Sequence, residues 1–181
     1  MWRVRKALAS DVEQMVSIAR NYDSFLMPYA LSSFILGNLL EDIVVVTTEE
    51  RSKVVGYLHY FNSDQYSALA KPSLDDIDKV ISFLVNVKLV PSDIITNFLR
   101  SQKPTIFIAQ VVCPEGSFTP ALDYVYSKAE EVWCWASVNA PSFPSYQRRG
   151  FVFGSEYTFW NIYKGGYSTF SLGRYKTKKE D

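Results

Sequence analysis

Apolar and polar positions along this chain repeat with two periods, and the switches between them mark its elements. Residues 2–7 alternate as a strand with one buried face does. Ser10-Asp11-Val12-Glu13 has the form of a capping box, with the serine accepting from the N3 amide while Glu13 reaches back. Val12, Met15, Val16 and Ala19 then share one helical face. Residues 22–29 form an aromatic-rich connection, and a second helix is predicted over residues 30–40. Residues 43–48 and 54–61 read as two strands joined by the polar turn Glu49-Glu50-Arg51-Ser52-Lys53.

Residues 62–103 break the pattern with two amphipathic helices. Ser73 caps the first, which carries Ile77, Val80, Ile81, Leu84 and Val85 on one face. Pro91-Ser92-Asp93 starts the second, with Ile94, Ile95, Phe98 and Leu99 together. Left in water, these faces would form one large apolar patch, so the segment is predicted to pack on the protein or on a second copy as a homodimer.

Residues 105–112 are a strongly apolar strand ending at Cys113-Pro114-Glu115-Gly116. Thr119-Pro120 predicts a helix start with proline at its first position, running to about residue 130. A tryptophan-bearing strand follows over residues 131–137, and Asn139 ends it. A short helix has Tyr146 in its last turn, and Gly150 stops it by taking positive φ. Strands over residues 151–163 and 167–175, joined at Gly165-Gly166, complete the chain.

A length of 181 residues suits one domain, 1–181, with a proper core. Hydrophobic residues at 48% and aromatics at 15% lie well outside disordered compositions. Lys plus Arg and Asp plus Glu each number 19, so no global field draws in nucleic acid or an anionic membrane. Two cysteines fit a reducing, cytoplasmic setting better than a disulfide scaffold. No apolar stretch approaches the length of a membrane span. No cluster suggests a metal site.

An Asn at a strand end, Tyr146 seven residues later and Gly150-Phe151 four beyond that resembles the C-terminal signature of the GNAT acyltransferase superfamily. Without the insertion, the element order β-α-α-β-β-β-α-β-α-β-β is similar to that family over nearly the whole chain. The resemblance implies an α/β (α+β) fold: a mixed, mostly antiparallel sheet with splayed central strands and flanking helices. It also implies acetyl-CoA or another acyl-CoA as co-substrate and an amine, on a small molecule or a protein, as acceptor. On that reading a backbone N–H of Val111 or Val112 polarises the thioester carbonyl. Tyr146 protonates the departing sulfur, and Asn139 lies near coenzyme A.

The family's phosphate loop, Gln/Arg-x-x-Gly-x-Gly/Ala, is matched poorly by residues 114–122. One glycine is present, and Glu115 would repel a phosphate by roughly 1 kcal/mol at 4 Å in bulk water. The amides of Ala121 and Leu122 and the hydroxyls of Ser117 and Thr119 remain as phosphate contacts. Each site residue also has a structural reading: a packed tyrosine bonded to backbone, an asparagine bonding its own chain, a central strand that is merely buried. The lone histidine, His59, lies in an aromatic strand and is a weak candidate base. Cys113 has no neighbour in sequence to activate it. Tyr22, Phe25, Tyr29, Tyr157, Phe159 and Trp160 lie in segments that flank the acceptor site in GNAT proteins. Two functions therefore stand side by side: an N-acyltransferase, and a GNAT-like module that binds or assembles without acyl transfer or with another donor.

Overall fold

The structure is a computed structural model, and it describes residues 2–21, 42–49, 53–114 and 116–177. The expected helix over residues 30–40, together with Tyr22, Phe25, Tyr29 and Glu115, lies outside the described residues. Seven strands run in the order β1-β2-β3-β4-β5-β7-β6. They are β1 (Trp2–Lys6), β2 (Ile43–Thr48), β3 (Val54–Asn62), β4 (Thr105–Val112), β5 (Glu131–Ser137), β6 (Val152–Asn161) and β7 (Gly166–Lys176). Among the described residues, five α-helices accompany them: α1 (Val12–Asn21), α2 (Leu74–Asn86), α3 (Ser92–Leu99), α4 (Phe118–Tyr126) and α5 (Ser142–Arg148). The β1–β2, β2–β3, β5–β7 and β6–β7 pairs are antiparallel. This is the mixed, mostly antiparallel α/β architecture expected from the sequence.

The chain divides into two compact units, one of residues 1–62 and 108–128, the other of residues 63–107 and 129–181. In the first unit, α1 places Met15 and Ala19 against Ile43, Val45, Val54, Tyr57 and Val112, the face its periodicity predicts. The cap differs from the expected box. The carboxylate that reaches back is Asp11 rather than Glu13, accepting from the Leu8 amide at 2.8 Å, and Arg5 grips it with both terminal nitrogens at 2.6 and 2.9 Å. A strand residue thus fixes the helix entry.

In the second unit, the helices of residues 62–103 are packed as expected. Ser73 caps α2 by accepting from the Asp76 amide at 3.1 Å. The buried face of α2 centres on Val80, Phe83 and Leu84, whereas Val85 is exposed. The face is therefore rotated from the one the aliphatic residues suggested, since the bulkier Phe83 takes the interior position. From α3, Phe98 meets Phe107 and Trp133 with ring centroids 5.5 and 6.1 Å apart. That aromatic cluster buries α3 against the sheet of its own unit.

Candidate functional site

The first unit carries the end of β4. Val112 is buried and Val111 half-buried, and both lie where the apolar run gives way to Cys113-Pro114. Gly56 in β3 permits this close packing: a Cβ there would sit 2.9 Å from the Val112 carbonyl oxygen and 3.1 Å from Cys113 Cα. One step back, Gln110 interrupts the apolar strand. Its Nε2 donates to the Tyr57 hydroxyl at 2.8 Å, while its Oε1 is buried with no hydrogen-bond partner among the described residues. Burial pushes the Tyr57 phenol far above its ordinary value, with Cys113 adding to the shift and Gln110 opposing it. Tyr57 therefore keeps its proton at every physiological pH. Burial likewise pushes the Cys113 thiol up to about 12, so it is no nucleophile near neutrality.

The loop after β4 opens α4 earlier than expected. Ser117 stands at the N-cap and Phe118 is the first helical residue, which makes Pro120 the third rather than the first. Ala121 and Leu122 thus lie past the first three residues, where helical N–H groups bond back to carbonyls four residues earlier. The phosphate role expected of their amides loses its geometric basis, and both residues are buried. Ser117 is buried too, and its hydroxyl donates to the Pro114 carbonyl at 2.6 Å. A phosphate would have to take that hydroxyl from Pro114. Thr119 is the second helical residue, within the opening turn. Gly116 holds φ at +82°, and among the described residues beyond its chain neighbours no atom lies within 4 Å of where a Cβ would sit.

The second unit carries Asn139 and Tyr146. Asn139 sits in the turn just beyond β5, exposed, and its side chain makes no hydrogen bond to a described residue. Tyr146 lies in the last turn of α5 and is 4% exposed, its ring edge-on to Phe151 at 5.0 Å. The backbone closes around it: its carbonyl accepts from the amides of Arg149 and Phe151 at 3.1 and 3.2 Å. Gly150 makes this reversal at φ +93°, where a side chain would also strike the Tyr175 ring 3.2 Å away. The glycine stop and the tyrosine placement are those the sequence predicts.

Comparison with solved structures decides the architecture. Arabidopsis thaliana NAA60 in complex with acetyl-CoA superposes with a TM-score of 0.60 at 14% identity, covering 97% of this chain and 98% of that one. Ard1 from Thermoplasma volcanium gives 0.60 at 13% identity, covering 98% and 99%. A GNAT-family acetyltransferase from Bacillus cereus gives 0.54 at 14% identity, covering 99% of both chains.

The chain has the GNAT fold.

No family model matches the sequence, and no curated protein matches it. The likeness lies in the fold, over almost the full length of each of these structures. Among the described residues, no helix is long and apolar enough to cross a membrane, and no group of three or more His, Cys, Asp or Glu residues is placed to hold a metal ion. His59 is fully buried, edge-on to Phe61 at 4.9 Å, in line with a structural role.

Two features of the first unit escape a reading by motif. The Tyr57–Gln110 pair joins positions far apart in sequence, and its only local signal is a lone polar residue in the run Thr105–Val112. Gly56 gives no signal beyond being a glycine inside a strand, a known mark of close backbone approach.

Proposed function

We propose that this protein is an N-acyltransferase that moves an acyl group, most simply acetyl, from acyl-CoA to an amine acceptor. The observation that carries the reading is the full-length likeness to solved structures named as acetyltransferases, one of them a putative acetyltransferase with acetyl-CoA, and the spacing of Asn139, Tyr146 and Gly150-Phe151 supports it. The donor supplies an acyl group activated as a thioester. The residues present fit such a donor in part. The exposed, unpartnered amide of Asn139 suits a polar ligand, and Gly116 with Thr119 at the start of α4 suits phosphate. Ser117 is already engaged, and the single glycine gives a thin cradle, so donor affinity is expected to be modest.

In this reading a backbone N–H at Val111 or Val112 polarises the thioester carbonyl. The neutral amine attacks the carbonyl carbon, and the C–S bond breaks as the C–N bond forms. Tyr146 delivers a proton to the departing sulfur as general acid, and the proton the amine nitrogen loses passes through water back to the phenolate. The whole chain acts as one catalytic domain, in the cytoplasm, on a small-molecule or protein amine. Calorimetric titration with acetyl-CoA and with free coenzyme A tests the donor assignment. Saturable binding weaker than about 1 μM, roughly −8 kcal/mol, is expected, and no heat from either ligand would overturn it.

A further inference from the structure

The second unit contains a charged hollow at the opposite end of β5 from Asn139. Glu131 is the first residue of β5 and Ser137 the last, about 20 Å apart at 3.3 Å per residue. Glu131 is buried and ionised. Burial alone would raise its pKa, but the Trp133 indole N–H at 2.8 Å, Lys103 at 3.2 Å and Arg174 at 2.7 Å together hold it below the usual carboxylate range. One carboxylate thus faces two cations, leaving a net positive charge.

Arg174 is the informative group. It stands opposite Trp133 in the β5–β7 register and lies over the indole, 4.8 Å from the ring centroid. Its Nε is spent on Glu131, which fixes the plane of the guanidinium. Its two terminal nitrogens make no hydrogen bond among the described residues. A guanidinium pinned by its Nε and stacked on an indole offers those two donors as a preorganised fork. The hollow beside it has a volume of about 460 Å³, with Ile94, Trp133 and Leu172 as apolar wall and Lys103 and Arg174 as cations. That volume lies within the range of small-molecule sites. A neighbouring hollow shares Lys103, Glu131 and Arg174 and adds Lys176, which stands opposite Glu131 on β7.

We propose that this hollow binds a small organic carboxylate, with the carboxylate on the Arg174 fork beside Lys103 and the carbon body against Trp133, Leu172 and Ile94. The net charge matches a monoanion better than a phosphate dianion, and the apolar wall favours a flat or aliphatic body over a bare ion. The site shares no residue with those proposed for acyl transfer, and its occupancy is read without turnover. Titration of the whole protein with sodium benzoate, sodium acetate and inorganic phosphate at constant ionic strength and neutral pH tests it. Saturable benzoate binding is expected, about tenfold tighter than acetate or phosphate. Arg174→Lys, which keeps the charge but loses the planar fork, should weaken benzoate by about tenfold. If that variant fails to fold, Lys103→Met, which removes the second cation, should weaken it in the same sense. Absence of saturable benzoate binding, equal affinity for acetate or phosphate, or unchanged benzoate affinity in the folded variant would overturn the proposal.

Discussion

Gln110 on β4 donates its side-chain amide to the Tyr57 hydroxyl on β3 at 2.8 Å, and both side chains are fully buried. A polar pair in an apolar interior is stable only while each group satisfies the other. Tyr57→Phe strips Gln110 of its acceptor and leaves the whole amide unmatched. Urea unfolding should show a loss of about 1–3 kcal/mol. Adding Gln110→Leu to that variant should recover part of it, because the stranded amide is gone.

Gly56 makes a second, steric prediction. A methyl there would sit 2.9 Å from the Val112 carbonyl oxygen, and backbone cannot swing aside as a side-chain tip does. Gly56→Ala should destabilise by about 1–3 kcal/mol in the same unfolding measurement. Because Val112 closes β4 beside the proposed oxyanion contact, kcat should fall in the folded fraction as well.

The sequence displayed its elements more clearly than its contacts. The ends of β4 at Thr105 and Val112 match the run to the residue, since an almost entirely buried strand between Pro104 and Pro114 has sharp limits. Gly150 was legible because only a residue tolerant of positive φ can reverse the chain there. The capping carboxylate is Asp11 rather than Glu13, and its deciding partner, Arg5, belongs to a different element. The start of α4 was misplaced by two residues, since Ser117 turns inward to Pro114 and lets the helix begin before Thr119-Pro120. Side-chain pairs across strands, such as Gln110 with Tyr57, depend on register that no local pattern encodes.

The Arg5–Asp11 contact contributes to the acid limb of stability, as the depressed Glu131 does. Asp11 titrates below its ordinary range, chiefly through the Arg5 hydrogen bonds, against the opposing effect of burial. A depressed carboxylate contributes stability that is present above its unfolded pKa, about 4, and is lost as pH falls through the folded value. Asp11→Asn should lower the melting temperature at neutral pH and leave it less dependent on pH in the acid range. Melts between pH 2 and 6 on both proteins check this.

Lys88 predicts the opposite limb. It is half-buried, no carboxylate pairs with it among the described residues, and burial lowers it from 10.5 to about 8, with Cys134 opposing the shift. Between those values the unfolded chain holds more protons, so stability attributable to this group rises with pH through that window. Lys88→Met should be stabilising below pH 8, with the gain shrinking toward pH 10.5. Denaturant midpoints at pH 7 and pH 10 read the difference directly.

Acyl transfer itself is tested most directly by coupling thiol release from acetyl-CoA to mass-spectrometric detection of acetylated product, over a panel of small amines, peptide N-termini and lysine peptides. The account predicts transfer to at least one amine by the wild-type protein. It also predicts that Tyr146→Phe lowers kcat by about 10²–10⁴-fold while the melting temperature barely moves. No acetylated product from any amine with the wild-type protein, or an unchanged kcat in Tyr146→Phe, would contradict it.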